Sequence, residues 1–173
     1  LSSVNQELVE HFNCLAKKIK KGSSVLDIGS NDGILLKPLK ELGIKSVGID
    51  PSFNVGKIAN DQGLETFIGF YDDHNSDELL KKYGKFDYII ASSIFTHVEN
   101  PYNFISNIKK LLNDEGTFIL EIEYVKNILE NYQFERFYFD RPYYYSIQAI
   151  KHILSSQSLF ITHIENIEPH GGS

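Results

Sequence analysis

A chain of 173 residues is long enough for one domain with a substantial core and too short for two. Its 42% hydrophobic and 23% charged residues are typical of a globular protein, and no apolar run approaches the roughly 20 residues of a membrane span. The formal net charge of −6 argues against a nucleic-acid partner, because binding to a phosphate backbone needs clustered Lys and Arg.

The cysteine content and the first residues bear on the compartment. Cys14 is the only cysteine, so we expect no intrachain disulfide and no cysteine zinc site. The opening residues, LSSVNQELVE, contain neither a basic start nor an apolar signal core, so we expect a cytoplasmic protein. Because the chain begins at Leu1, we also expect it to be one domain, residues 1–173, of a longer protein.

The chain then alternates between helical and strand-like patterns. Apolar residues at helical spacing predict an amphipathic helix over residues 3–20, ended by Gly22. Asn100 and Pro101 are typical of a helix start, and they predict a helix over residues 101–112, while Ser146 opens another. Strands are predicted at residues 24–28, 45–49, 65–68, 86–91, 117–122 and 159–164.

This alternation predicts an α/β fold with a doubly wound, mostly parallel sheet. We expect the strand order 3-2-1-4-5, with residues 159–164 as the last strand. In such sheets ligands bind beyond the carboxyl ends of the strands. The predicted ends, and therefore the expected site, are residues 28–33, 50–52, 69–72, 91–97 and 122–124.

The loop after the first strand, in VLDIGSNDG, decides which ligand fits. A dinucleotide fold needs glycine at three positions that are occupied here by Gly29, Asn31 and Ile34. Asp32 would occupy the positive end of a helix beginning near Gly33, where a pyrophosphate would otherwise bind, and Asp27 adds a second carboxylate. The loop therefore suits a nucleoside-like ligand that carries positive charge.

S-adenosylmethionine is such a ligand. The pattern Asp27-x-Gly29-x-Asn31-x-Gly33 resembles the first motif of class I methyltransferases, with Asn31 in place of the usual middle glycine. Asn tolerates a left-handed backbone better than other non-glycine residues do. Asp50 ends the second strand and could accept both ribose hydroxyls. The alternative is a structural role without a ligand. In that case the glycines form a tight turn, and Asp50 caps the helix after Pro51-Ser52.

The similarity extends over nearly the whole chain. The segments VLDIGSNDGILLK, VGIDPS, FDYIIASSIFTHVENP, LLNDEGTFILEIEY and ILENYQFERFYF to PHGGS resemble the central domain of sugar C-methyltransferases. The resemblance implies a Rossmann-like class I methyltransferase fold, S-adenosylmethionine as cofactor and a nucleotide-linked keto-sugar as substrate.

The resemblance also implies roles for individual residues. The cofactor loop would comprise Asp27, Gly29, Ser30, Asn31 and Gly33, with Asp50 on the ribose. Phe70 and Tyr71 would approach adenine, and Ala91, Ser92 and Ser93 would line the methionine end. His97 matches a histidine of the same segment, although it could equally cap or pack under the following helix.

One segment departs from the family pattern. Relatives carry Tyr-His-Glu-His, residues that handle the sugar's proton, where this chain has Tyr138-Phe139-Asp140-Arg141. Methylation of a carbon beside a ketone requires a base, and Asp140 could serve if it were desolvated. Arg141 beside it could instead hold the carboxylate ionised. Tyr138, Asp140 and His97 are thus the candidate catalytic residues.

Other family features are absent or ambiguous. Relatives have a cysteine-rich zinc-binding region before this domain, a second domain after it, and an antiparallel strand following the HGGS loop. We therefore expect the sheet to lack that strand, leaving an unpaired edge or a gap filled by something else. The aromatic stretch 132–145 could form a lid over a sugar pocket, but for residues other than Tyr138 packing at the core or at a domain interface is favoured.

Three functional hypotheses follow. The first is an active methyltransferase on a small molecule, and the second is a non-catalytic or degenerate domain that binds S-adenosylmethionine or has a structural role. The third, a nicotinamide-dependent oxidoreductase, is weakened by the failed glycine pattern. The sequence determines neither the acceptor nor the oligomeric state.

Overall fold

The computed structural model describes residues 3–167 and residue 173. The helices are Ser3–Lys18 (α1), Leu36–Glu41 (α2), Phe53–Asp61 (α3), Asp73–Tyr83 (α4), Pro101–Leu111 (α5), Val125–Glu130 (α6) and Ile147–Ser155 (α7). The strands are Ser24–Ile28 (β1), Lys45–Asp50 (β2), Thr66–Ile68 (β3), Phe86–Ser92 (β4) and Leu112–Glu121 (β5). Short 3₁₀ turns lie at Phe95–His97 and Phe134–Arg136.

The five strands form one parallel sheet in the order β3-β2-β1-β4-β5, which confirms the predicted order. β1 is central, and Asp27 pairs in register with Gly48 on β2 and Ile90 on β4. All five carboxyl ends therefore lie at one edge of the sheet, as the sequence predicted.

Helices cover both faces of the sheet. Alternate residues of β1 face opposite sides: Val25 packs with Phe12 and Ala16 of α1, whereas Leu26 packs with Ile105 of α5. Burial of each of the larger side chains, such as Val25, Leu26 and Ile105, contributes roughly 1.5–3 kcal/mol. This packing makes the sheet a rigid base for the loops at its carboxyl edge. Within the part of the chain that the model describes, no helix is both long and apolar enough to cross a bilayer.

Helix boundaries agree with the prediction except after the first strand. The helix expected to begin near Gly33 begins at Leu36, because a series of turns occupies residues 31–35 first. Asp32 is therefore exposed in a turn, not in the first helical turn. Asp32 therefore does not occupy the N-terminus of α2, and the predicted block of a phosphate site by Asp32 was wrong.

The prediction of a last strand at residues 159–164 was also wrong. This segment has no strand assignment, and Phe160 and Ile164 are exposed. It is separated from the outer edge of β5 by a cleft of about 1020 Å³ lined by parts of α1, β5 and residues 159–167. A strand forms only where a neighbour completes its hydrogen bonds, and this segment does not reach β5. Over residues 3–167 the sheet contains no antiparallel strand, as expected, while most of the PHGGS tail lies outside the described residues.

Candidate active site

The ends of three strands, β1, β2 and β4, bring predicted cofactor residues together. Gly29 and Ser30 follow β1, and both N–H groups donate to the Ile49 carbonyl of β2, at 2.8 and 3.3 Å. A Cβ atom on Gly29 would lie 3.0 Å from Cδ1 of Ile94, which follows β4. The loop 29–33, Asp50 and the residues after β4 therefore form one continuous surface.

The backbone of the loop requires the residue types found there. Gly29, Asn31 and Gly33 have φ angles of +76°, +52° and +87°. A Cβ on Gly33 would also come within 2.5 Å of the Leu64 side chain. The left-handed conformation expected at Asn31 is confirmed, because Asn adopts it more readily than other non-glycine residues.

Asp50 is buried, and its carboxylate holds the loop in place. Oδ2 accepts a hydrogen bond from the Asn31 N–H, and Oδ1 accepts one from the Ser52 N–H, both at 2.9 Å. The second bond fixes the turn into α3, so the structural alternative for Asp50 is partly correct. A carboxylate has about four lone-pair sites, and those that remain can accept ribose hydroxyls. The two roles are compatible.

Asp27 is the most unusual ionisable group of the site. Its side chain is 4% exposed and makes no hydrogen bond within the described residues. Burial, together with the neighbouring Asp50 carboxylate, raises the pKa of Asp27 to about 7. Two carboxyl groups side by side at the end of the sheet create a site that favours a cation.

These features fit S-adenosylmethionine. The ligand carries an ammonium and a sulfonium, which Asp27 can compensate, and two ribose hydroxyls, which Asp50 can accept. The missing Cβ of Gly29 lets the Ile94 side chain pack closely against the cofactor loop. The donor set offers no comparable match to a pyrophosphate, since two buried carboxylates would repel it.

The end of β4 is tied to β5 by a carboxylate that the sequence analysis missed. Ser92 Oγ donates to Glu121 Oε2 at 2.7 Å, and the same oxygen lies 3.0 Å from His11 Nε2 of α1. The Ser93 N–H donates to the Glu121 carbonyl at 3.0 Å, with Ser93 at a φ of +56°. Ala91 is fully buried in the sheet beneath this point.

The two predicted adenine residues point to different surroundings. Phe70 is 71% exposed beyond β3, free to contact a ligand. The Tyr71 ring packs edge-on against Phe104 of α5, with centroids 5.0 Å apart. Burial raises the pKa of the Tyr71 hydroxyl. A role at adenine stays a prediction for Phe70, whereas the contacts of Tyr71 are those of a core residue.

His97 and Asp140 lie together although they are far apart in sequence. His97 Nδ1 lies 3.2 Å from the Asp140 carbonyl oxygen and 3.8 Å from its Oδ2. A carbonyl oxygen only accepts, so Nδ1 carries the hydrogen of this bond. In the neutral ring Nε2 then has the lone pair, and it can accept a proton. His97 is exposed and lies three residues after Ile94, the residue that packs against the cofactor loop.

Arg141 does not pair with Asp140, contrary to one alternative from the sequence. Its guanidinium forms a hydrogen-bonded ion pair with Glu123, and Arg136 Nη2 lies 3.0 Å from the other oxygen of the same carboxylate. The Tyr138 ring is half exposed and lies 4.7 Å from the Arg141 guanidinium carbon. The Asp140 carboxylate therefore has His97, and not Arg141, as its ion-pair neighbour.

The aromatic stretch 132–145 divides into buried and exposed members. Tyr145 is buried against Phe95, with ring centroids 5.0 Å apart, as the packing interpretation predicts. Tyr132, Phe134 and Phe139 are exposed and pack little within the described chain. The packing interpretation therefore holds for Tyr145, and the exposed members remain available to contact a ligand or another surface.

Sequence reasoning missed His11, Glu121 and Arg136, and it included Glu123 only as part of the predicted strand end 122–124. A signal existed for the two glutamates, because ILEIEY places acids at the carboxyl end of a predicted parallel strand. No local signal identified the two basic residues, whose partners lie on other elements.

A family model described as a methyltransferase domain matches residues 2–163. Among characterised proteins, C-methyltransferase NovU of Streptomyces niveus is 27% identical over 88% of this chain and 36% of its own length. A ubiquinone biosynthesis O-methyltransferase of Pelagibacter ubique is 30% identical over 76% of this chain and 54% of its own length. The chain thus spans roughly half, or less, of these relatives.

Solved structures share the fold at low identity. Magnesium protoporphyrin IX methyltransferase from Synechocystis, solved with bound S-adenosylhomocysteine, superimposes with a TM-score of 0.69 at 19% identity, covering 97% of this chain and 79% of the other. A Pyrococcus horikoshii protein gives a TM-score of 0.70 at 20% identity, covering 90% and 82%. Both likenesses are to the fold as a whole.

Proposed function

The chain belongs to the methyltransferase-domain family, and from that membership we propose that the protein transfers a methyl group to a small-molecule acceptor. Its cofactor is S-adenosylmethionine, as the family and the match of the site to that ligand indicate. The proposed acceptor is a nucleotide-linked keto-sugar, methylated at carbon. The similarity to C-methyltransferase NovU and the retained Tyr138 support this acceptor class.

One observation carries the proposal: His97, which could act as a base, lies close to Asp140 after the end of β4. The His97–Asp140 pair lies at the same edge of the sheet as Asp27 and Asp50. Although the two histidines of the family pattern are absent, His97 could transfer the proton instead. Its carboxylate partner is Asp140 of the aromatic stretch.

Four residues have distinct roles in the proposed methyl transfer. When bound, S-adenosylmethionine supplies an electrophilic methyl group on a sulfonium sulfur. Asp27 compensates positive charge in the buried end of the site, and Asp50 accepts the ribose hydroxyls. His97 Nε2 takes the proton from the carbon beside the ketone, and the electron pair of the broken C–H bond becomes the nucleophile. The Asp140 carboxylate stabilises the imidazolium that results.

Tyr138 has a supporting position in this scheme. Its ring is half exposed and its backbone N–H donates to the Tyr144 hydroxyl at 2.7 Å, so its place in the aromatic stretch is fixed. We assign it to the wall of the acceptor pocket, next to Asp140.

Two measurements test the proposal in sequence. Calorimetric titration with S-adenosylhomocysteine and then with NAD separates a methyltransferase from an oxidoreductase, and we expect binding of the first alone. Transfer of labelled methyl from S-adenosylmethionine is then assayed over a panel of nucleotide-linked keto-sugars, with NMR of the product to locate the new methyl. Cofactor binding without transfer to any sugar would refute the acceptor class, and absence of transfer to other acceptors as well would favour the non-catalytic alternative.

A further inference from the structure

We propose that Glu123 is a positioning residue, which fixes the stretch 137–140 across the mouth of the site by holding two arginines at once. The inference rests on the proposed function in one respect, because Tyr138 and Asp140 of that stretch are assigned there to the acceptor side. The anchoring itself is a property of the fold and can be measured without an acceptor.

The geometry of the anchor is a buried carboxylate between two guanidinium groups. Glu123 follows the end of β5 and is 7% exposed. Oε1 lies 3.0 Å from Arg136 Nη2, and Oε2 accepts from Arg141 Nη1. The arginine side chains are themselves only 14% and 16% exposed. Such a cluster is little screened by solvent, and removing one member leaves an uncompensated buried charge, which is strongly destabilising.

The cluster holds residues 137–140 in place because the two arginines lie on either side of them in the sequence. Arg136 precedes and Arg141 follows the four residues 137–140, so both ends of that stretch are attached to the same carboxylate. The Arg141 guanidinium also lies over the Tyr138 ring, and the Tyr144 hydroxyl joins the Arg136 carbonyl at 2.9 Å to the Tyr138 N–H. Tyr138 is thus tied to both arginines.

Hydrophobic burial does not provide an alternative anchor. The side chains of Phe137 and Tyr138 are about half exposed, at 45% and 50%, and that of Phe139 is fully exposed. Apolar burial contributes in proportion to the area removed from water, which is small here. The ion cluster therefore constrains the stretch together with the Tyr144 hydroxyl and the Phe137–Tyr144 ring contact, and through the stretch it constrains the contact between Asp140 and His97.

A fluorescent reporter tests the anchor directly. The chain has no Trp, so Phe139→Trp introduces a single reporter at a fully exposed site. We expect Glu123→Gln in this background to lower the reporter's anisotropy, because the stretch that carries it becomes more mobile. Asp87→Asn is the matched control, because Asp87 accepts hydrogen bonds from Ser24 and Asn113 at the opposite end of β4. It should cost stability without changing the reporter.

Kinetics supply a readout that loss of stability alone would not move. With an acceptor in hand, Glu123→Gln should reduce kcat by on the order of 10²-fold, as expected when reacting groups are displaced by about 1 Å. Affinity for S-adenosylhomocysteine should stay within about twofold, and Glu123→Asp should restore part of kcat. If Glu123→Gln does not fold, Arg141→Gln removes one arm of the cluster and should change the reporter in the same direction.

The outcomes are separable. An unchanged reporter in Glu123→Gln, or an equal change in Asp87→Asn, overturns the positioning role. A mobile reporter together with wild-type protein that methylates nothing leaves the anchor in place and refutes the proposed function.

Discussion

Protonation of Asp27 should be coupled to cofactor binding. Burial and the nearby Asp50 raise the pKa of Asp27 from its ordinary value of 3.8 to about 7 in the ligand-free protein. A cationic ligand favours the ionised carboxylate, so binding must lower that pKa and release a proton. The perturbation to make is Asp27→Asn, which removes the titration and keeps the size of the side chain.

The magnitude follows from the pKa. At pH 6 a group with a pKa of about 7 is about nine-tenths protonated, so binding should release about 0.9 proton. Affinity should rise about fivefold from pH 6 to pH 7, or roughly 1 kcal/mol, while the α-ammonium of the ligand stays mostly charged. In Asp27→Asn the proton release should disappear and the pH dependence should flatten.

The assay is calorimetric titration with S-adenosylmethionine at pH 6 in two buffers of different ionisation enthalpy. The dependence of the apparent enthalpy on the buffer gives the number of protons released. Absence of proton release in wild type, or equal release in Asp27→Asn, would refute the reasoning.

The same shift makes the stability of the ligand-free protein depend on pH. Because the folded pKa of Asp27 lies above the unfolded one, its contribution to stability is complete below pH 3.8 and is lost as the pH rises through about 7. The difference is on the order of 4 kcal/mol. Asp27→Asn should therefore raise Tm at pH 8 far more than at pH 4, a contrast that thermal unfolding at the two pH values measures. Equal shifts would contradict the burial argument.

Three further predictions concern single residues. Asp50→Asn should weaken S-adenosylhomocysteine binding by roughly 1.5–3 kcal/mol, and unchanged affinity by calorimetry would remove Asp50 from the ribose site. Asp140→Asn keeps the backbone carbonyl that His97 contacts, yet it should lower turnover at least about 10²-fold with cofactor affinity intact; a wild-type rate would end its catalytic assignment. Asn31→Ala should be less stable in urea than Asn31→Gly by roughly 1–2 kcal/mol, because only glycine adopts the left-handed backbone without cost, and equal stabilities would contradict the strain.

Much of the cofactor side of the site could be predicted from sequence because its signals are local. The loop 29–33 and Asp50 follow directly from two predicted strands, and parallel strands place their carboxyl ends at one edge. The left-handed Asn31 was predicted for the same reason, because backbone preference acts on single residues. The strand order followed from the alternation of strands and helices, because right-handed crossovers leave few topologies.

The acceptor side was decided by contacts between residues distant in the chain. Nothing adjacent to Asp140 shows that it meets His97, or that Arg141 turns away from it to Glu123. The missing strand at 159–164 has the same origin, since an extended, apolar sequence becomes a strand only beside a partner edge, and here a cleft separates it from β5. The local sequence determines which backbone conformations have low free energy in each segment. Hydrogen bonds and ion pairs between distant segments form only where the packed sheet and helices bring the groups within reach.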